Sequence, residues 1–272
     1  AALARISYVP AMADAKGAEW VVEAATENIE LKKRIFKEMQ AAFPAPAVLA
    51  TNTSSISITD IAAAVGADAG RVIGMHFFNP VPVLRLVEVI RALQTSDETA
   101  TAIVELARDL GKVPAEVNDL PGFAANRILM PFLNEAAYAL MEGVARAEDI
   151  DTIATLGFAH PMGPLALADL IGLDTCVAIM EVLHHGLGDP KYAPCPLLRQ
   201  YVAAGRLGRK SGRGFYRRER GEGDELEPHG VIDDRAQLRG AIARAGEAVG
   251  CDVHASLRGE TAAVGFRGDG LQ

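Results

Sequence analysis

His76 closes an apolar run, "RVIGMHF" (71–77), and Glu88 sits inside the next, "LRLVEVI" (84–90), so two ionisable side chains occupy segments whose pattern belongs to a core. At a strand's period of two, Leu84, Leu86, Glu88 and Ile90 share one face while Arg85, Val87, Val89 and Arg91 share the other, which takes both arginines away from Glu88. A carboxylate on an apolar face needs a partner from elsewhere, because an isolated buried charge shifts its pKa and neutralises. His76 supplies one, since "NPVP" (79–82) between the two runs is turn-forming sequence that folds one back on the other. A carboxylate on one ring nitrogen fixes the tautomer and stabilises the imidazolium, which makes the other nitrogen a general base worth about 10²–10⁴ in rate. A serine triad is not indicated, because no G-x-S-x-G elbow occurs. The blander alternative keeps His76 as a satisfied core histidine and pairs Glu88 with a distant arginine.

Such a pair needs strands that end together. The first 118 residues alternate strand and helix signals. "ISYV" (6–9), "WVVEAA" (20–25), "AVLAT" (47–51), the two runs above and "KVPAEV" (112–117) have the Val, Ile and Leu content of buried strands. Between them, "NIELKKRIFKEMQAAF" (28–43) is helical up to Pro44, "ITDIAAAV" (58–65) stops at Gly66, and "DETATAIVELARDL" (97–110) runs from an N-cap at Ser96 to Gly111. The alternation predicts an α/β, doubly wound parallel sheet, on which ligands bind beyond the carboxyl ends of the strands. His76, "ATNTSS" (50–55) and "AATEN" (24–28) all fall at such ends, although Thr- and Asn-rich loops serve equally as turns and caps. From 119 to 217 the texture is helical throughout, with Pro131 expected to kink or break the first helix. Residues 218–272 read as a charged, Gly-rich linker (219–230), a weak amphipathic helix (233–250) and a final twenty residues without clear pattern, and no role is assigned to them.

Composition narrows the function. A chain of 272 residues, 50% apolar, buries a full core and fits two globular domains. A net charge of −8 excludes a phosphate-tracking nucleic-acid surface. Cys176, Cys195 and Cys251 are odd in number and lack CxxC spacing, so neither a disulfide framework nor a zinc site is expected and a reducing, cytoplasmic setting fits. No apolar run reaches membrane-spanning length.

"VVEAATENIELKKRIF", "ATNTSSISI", "GMHFFNPVPVLRLVEVI", "DLPGFAANRILMP", "HPMGPLALADLIGLDT" and "GRKSGRGFY" occur in this order and resemble the L-3-hydroxyacyl-CoA dehydrogenases, 3-hydroxybutyryl-CoA type, over residues 5 to 217. The resemblance implies an NAD-binding Rossmann-like domain (1–118), an all-α dimerisation and substrate domain (119–217), a homodimer, and NAD-dependent oxidation of an acyl-CoA substrate to its 3-oxo form in fatty-acid metabolism. It also implies roles. His76 is the base and Glu88 its orienting carboxylate; Ser54, Asn126 and Asn79 bind substrate; Glu27, Lys32, Asn52, Ser54 and Lys210 contact the cofactor.

One departure stands out. The family's opening strand and G-x-G-x-x-G turn are not found, and the Gly-rich "GRLGRKSGRG" (205–214) matches the carboxy-terminal block instead. The expectation is therefore a Rossmann-like sheet lacking its first half, an unpaired edge beside "ISYV" and "AVLAT", and weak NAD affinity. Two alternatives follow: a non-catalytic or structural paralogue, and a dehydrogenase of another hydroxy acid.

Overall fold

A computed structural model describes residues 6–15, 17–217, 252–258 and 261–267. Strands β1 (Ile6–Val9), β2 (Trp20–Glu23), β3 (Val48–Thr51), β4 (Val72–Phe77), β5 (Leu86–Arg91) and β6 (Val113–Asn118) form where the apolar runs predict them. Helices α1 (Ile29–Ala42), α2 (Ile58–Ala63) and α3 (Asp97–Asp109) separate them. Each helix begins on a side-chain cap: Asn28 accepts from the Leu31 amide, Ser57 from Asp60 and Ser96 from Thr99.

The strands are buried on both faces. Val21, Leu49, Val72 and Ile90 pack with Ile35, Phe36 and Met39 of α1 and Ile58 and Ile61 of α2. Val22, Val48, Ala50, Ile73, Met75, Val87 and Val89 pack with Ile103, Val104 and Leu106 of α3. Each such side chain taken fully from water contributes about 1.5–3 kcal/mol.

The sheet is mixed rather than wholly parallel. β2, β3 and β4 are mutually parallel and β5 is parallel to β6, but β4 and β5 are antiparallel. The segment between them is too short for a crossover and closes a hairpin, with the Val83 and Leu84 amides bonding the Pro80 carbonyl.

The last stretch of the chain, whose final twenty residues are patternless in sequence, contains β7 (Asp252–Arg258) and β8 (Thr261–Arg267). These two enter the sheet, whose order is β1-β7-β8-β2-β3-β4-β5-β6. β7 runs parallel to β1, and β8 runs antiparallel to both β7 and β2. β2 is thus paired on the side away from β3, and β1 becomes the sheet's edge strand. "DVHASLR" and "TAAVGFR" carry few β-branched residues among Ala, Ser and Gly, which is why no strand signal shows. The linker and the helix read over 219–250 lie outside the described residues.

Contacts divide the chain into two units: one of residues up to Phe123 with the two last strands, the other beginning at Ala124. The second contains α4 (Ala125–Met141), α5 (Ala147–Thr152), α6 (Pro164–Ile171), α7 (Leu173–Leu187) and α8 (Pro196–Ala203). Helix α4 continues through Pro131 without a break. The apolar stretch 165–188 is divided at Gly172, whose φ of 102° no helix accommodates. Met130, Leu133, Leu173, Cys176, Met180, Leu183 and Leu198 form this unit's core. Its last segment is clasped by Asp169, whose two carboxylate oxygens accept from the Phe215 and Tyr216 amides at 2.9 Å each. Asp151 accepts from the Leu165 and Ala166 amides at the start of α6 and from the Tyr216 hydroxyl.

Candidate active site

In the β4–β5 ladder His76 is directly opposite Glu88. His76 Nδ1 lies 2.9 Å from Glu88 Oε2, and the two residues are only 7% and 2% exposed. The rings of Phe78 and Phe123 flank the imidazole, with centroids at 4.7 and 6.0 Å. An ionised carboxylate accepts only; against one, the ring carries its proton on Nδ1 and presents Nε2 as the acceptor.

The neighbouring strand ends supply polar groups. Glu27 Oε1 accepts from the Ser54 amide at 2.7 Å and Oε2 from the Thr53 hydroxyl at 2.6 Å, so the loop after β2 holds the loop after β3. Asn52 ties β3 to β4: its amide donates to the Glu23 carbonyl, and its Oδ1 accepts from the Phe77 amide at 2.9 Å, one residue beyond His76. Asn79 is exposed at the start of the hairpin turn.

Lys32, expected at the cofactor, is only 1% exposed. Its ammonium donates to both oxygens of Glu23, at 2.8 and 2.9 Å, and to the Ala25 carbonyl, and stands 4.0 Å from Glu27 Oε2. In the helical unit, Asn126 occupies the first turn of α4, 8% exposed, and Lys210 pairs with Asp174, Nζ to Oδ1 at 2.6 Å. The first unit therefore gathers His76, Glu88, Ser54, Asn52, Glu27 and Lys32 at one end of its sheet, while Asn126 and Lys210 belong to the other unit.

Sequence reasoning passed over Glu23, Thr51 and Thr53, all buried at this end. Glu23 carries the signal that betrayed Glu88, a carboxylate inside an apolar run, "WVVEAA".

Whether these groups suit NAD can be judged from their donors and acceptors. Hydroxyls, amides and the Glu27 carboxylate at the ends of β2 and β3 are the chemistry that ribose hydroxyls and a carboxamide require. A pyrophosphate requires backbone amides at a helix N-terminus behind a Gly-rich turn. The Gly-rich stretch that does occur, 205–214, is built around Asp169: a Cβ on Gly214 would lie 1.9 Å from Asp169 Oδ1. β8, beside β2, runs antiparallel to it and so ends at the opposite edge. The described residues fit the nicotinamide end of the dinucleotide.

A doubly wound unit with an imidazole at the carboxyl end of β4 and its carboxylate partner opposite on antiparallel β5, in series with a helical unit, is the build of a dinucleotide-dependent dehydrogenase. Residues 1–120 match the model for the NAD binding domain of 3-hydroxyacyl-CoA dehydrogenase and residues 122–218 that for its C-terminal domain. The chain belongs to the 3-hydroxyacyl-CoA dehydrogenase family, and NAD is the cofactor of the matched domain. It is 58% identical over 212 residues to a probable 3-hydroxybutyryl-CoA dehydrogenase of Bacillus subtilis, covering 78% of this chain and 74% of that one. It is 53% identical to the 3-hydroxybutyryl-CoA dehydrogenase of Bradyrhizobium diazoefficiens over 79% of this chain and 73% of that one. The crystal structure of (S)-3-hydroxybutyryl-CoA dehydrogenase from Ralstonia eutropha superposes with a TM-score of 0.77 at 54% identity, covering 80% of this chain and 76% of that one.

Proposed function

We propose that the protein oxidises 3-hydroxyacyl-CoA, short-chain 3-hydroxybutyryl-CoA in particular, to the 3-oxoacyl thioester as a step of fatty-acid metabolism. NAD, when bound, would supply the hydride acceptor for C3. His76 Nε2 takes the proton of the 3-hydroxyl, the O–H bond breaking as the C=O bond forms, and Glu88 stabilises the resulting imidazolium through Nδ1. Ser54 and Asn79 orient the hydroxyl and acyl end, as Asn126 does from the helical unit. Glu27, Lys32, Asn52 and Lys210 serve the cofactor. The observation that carries the reading is the 2.9 Å contact between two buried groups, His76 and Glu88, at the sheet's ligand-binding end.

The test is oxidation of NADH by acetoacetyl-CoA set against free acetoacetate. Turnover that requires the CoA thioester supports the reading, and equal turnover of the free acid assigns the protein to other hydroxy acids. Fluorescence titration with NADH tests the cofactor half of the reading: saturable binding supports it, and no binding overturns it for this chain.

The proposal includes a homodimer formed through the helical unit. Ile128, Val144, Leu156 and Phe158 expose between 61% and 83% of their surface there, apolar side chains that a second copy could cover. It also includes a reducing, cytoplasmic setting, supported by the free thiols of Cys176 and Cys195.

A further inference from the structure

Glu23 and Lys32 are the most deeply buried charged pair among the described residues, at 0% and 1% exposure, and neither side chain reaches the protein surface. A buried ion pair seldom stabilises a fold more than apolar side chains of equal volume would, so its position asks for another reason. Every acceptor site of Glu23 is used. Oε1 takes the Ala25 amide and Lys32 Nζ; Oε2 takes Lys32 Nζ and the Thr51 hydroxyl at 2.6 Å.

Two arms run from this carboxylate to one loop. Along the first, Lys32 stands between Glu23 and Glu27, and Glu27 grips the Thr53 hydroxyl and the Ser54 amide. Along the second, the Thr51 hydroxyl donates to Glu23 and accepts from the Thr53 amide at 3.3 Å. The arms close a ring at Thr53. The Glu23 carbonyl meanwhile accepts from the Asn52 amide, and Asn52 holds the Phe77 amide next to His76.

We propose that Glu23 is a positioning residue: acting through Lys32, Glu27 and Thr51, its carboxylate sets the placement of Ser54 and of the strand end that carries His76. The assignment rests on the reading of Ser54 and His76 as site residues, but the placement itself is measurable without turnover. Glu27 is 43% exposed on its side chain, and the Lys32 ammonium, 4.0 Å from its Oε2, adds an electrostatic contact to its bonds with Thr53 and Ser54. Lys32, anchored from behind by Glu23, holds it in place, so that charge at the buried end of the relay orders a group at the exposed end.

The test uses the full chain with Glu23→Gln and with the double variant Glu23→Gln/Lys32→Met, which removes both buried charges and keeps the fold if the single variant fails to. Amide hydrogen exchange is followed at residues 53 and 54 and, as a reference, at 49–51 of β3. The expected result is a loss of protection of tenfold or more at Thr53 and Ser54 in the double variant, with β3 unchanged. In the active enzyme it is accompanied by a lowered kcat and raised KM values for both NADH and acetoacetyl-CoA, since Ser54 serves both. Unaltered protection at 53 and 54 in a folded double variant overturns the positioning role whatever the activity. Inactivity of the wild-type chain with preserved exchange effects overturns the functional reading alone.

Discussion

His76 and Glu88 face each other across a two-stranded ladder, neither more than 7% exposed, joined by a 2.9 Å contact from Nδ1 to Oε2. Opposed residues of an antiparallel pair have Cβ atoms about 4.5–5.5 Å apart, so the hairpin itself delivers the carboxylate to the imidazole. The pair is built into backbone register rather than onto a loop.

Replacing His76 by Ala removes the proposed base. kcat for acetoacetyl-CoA reduction should fall by about 10²–10⁴ with KM little changed. Glu88→Gln keeps an acceptor for Nδ1 but loses the charge that stabilises the imidazolium, and kcat should fall at least about tenfold, or about 1.4 kcal/mol. Steady-state kinetics check both, and wild-type turnover by His76→Ala would remove the general base from the mechanism.

Gly74 pairs with Ile90 two residues before the His76–Glu88 rung. A Cβ there would meet Ile90 Cβ at 2.8 Å and Ile58 Cδ1 at 3.0 Å, so Gly74→Ala must part β4 from β5 or push α2 off the sheet. The overpacking should cost about 1–3 kcal/mol and lower activity as the rung opens. Thermal melting and kcat are measured together; a variant with unchanged melting temperature would mean that the sheet yields at this point without strain.

Burial, aided by the nearby charges of Asp174 and Asp169, pushes the Cys176 thiol from 9.0 up to about 12. The folded chain therefore keeps this proton through a window in which the unfolded chain loses it. Stability should fall as pH rises from about 9 toward 12, by up to about 1.4 kcal/mol per pH unit from this group alone. Urea midpoints between pH 8 and 10.5 should decline less steeply in Cys176→Ala than in the wild type. The alanine variant starts lower because of its cavity, so slopes are compared and not midpoints. Parallel slopes would refute the assignment to Cys176.

How much of this was legible in the sequence differs from residue to residue. The His76–Glu88 pair was, because period-two alternation is a local property and the NPVP turn fixed the fold-back. The same alternation in "WVVEAA" marks Glu23, but its partners Lys32 and Thr51 sit on a following helix and a neighbouring strand, where no local spacing joins them. The grip of Glu27 on Ser54 spans 27 residues and is equally invisible. Lys32 was placed near the cofactor by the resemblance alone, and its burial against Glu23 was not legible because a helix surface pattern does not say which of its charges a neighbouring strand will cover. The antiparallel β5 was implied by the short turn, yet the Val-rich composition of the run pointed to parallel strands, since burial on both faces produces that composition in either direction.

The last two strands were least legible and give the last prediction. β1 pairs only with β7, and β2 meets β8 on the side away from β3. Deleting residues 219–272 would leave β1 without a neighbour and turn β2, with the buried Val21 and Val22, into an open edge. The shortened chain should show faster hydrogen exchange at the amides of Trp20–Glu23, a lower melting temperature and concentration-dependent light scattering. Because Glu23 ends β2, loosening that strand should also reach Ser54 through Lys32 and Glu27, so protection at residues 53 and 54 should fall with it. If the truncated protein remains monodisperse, with exchange at β2 unchanged, the pairing of β8 with β2 contributes nothing to holding the sheet, and the order of the two C-terminal strands in it has no energetic consequence for the site.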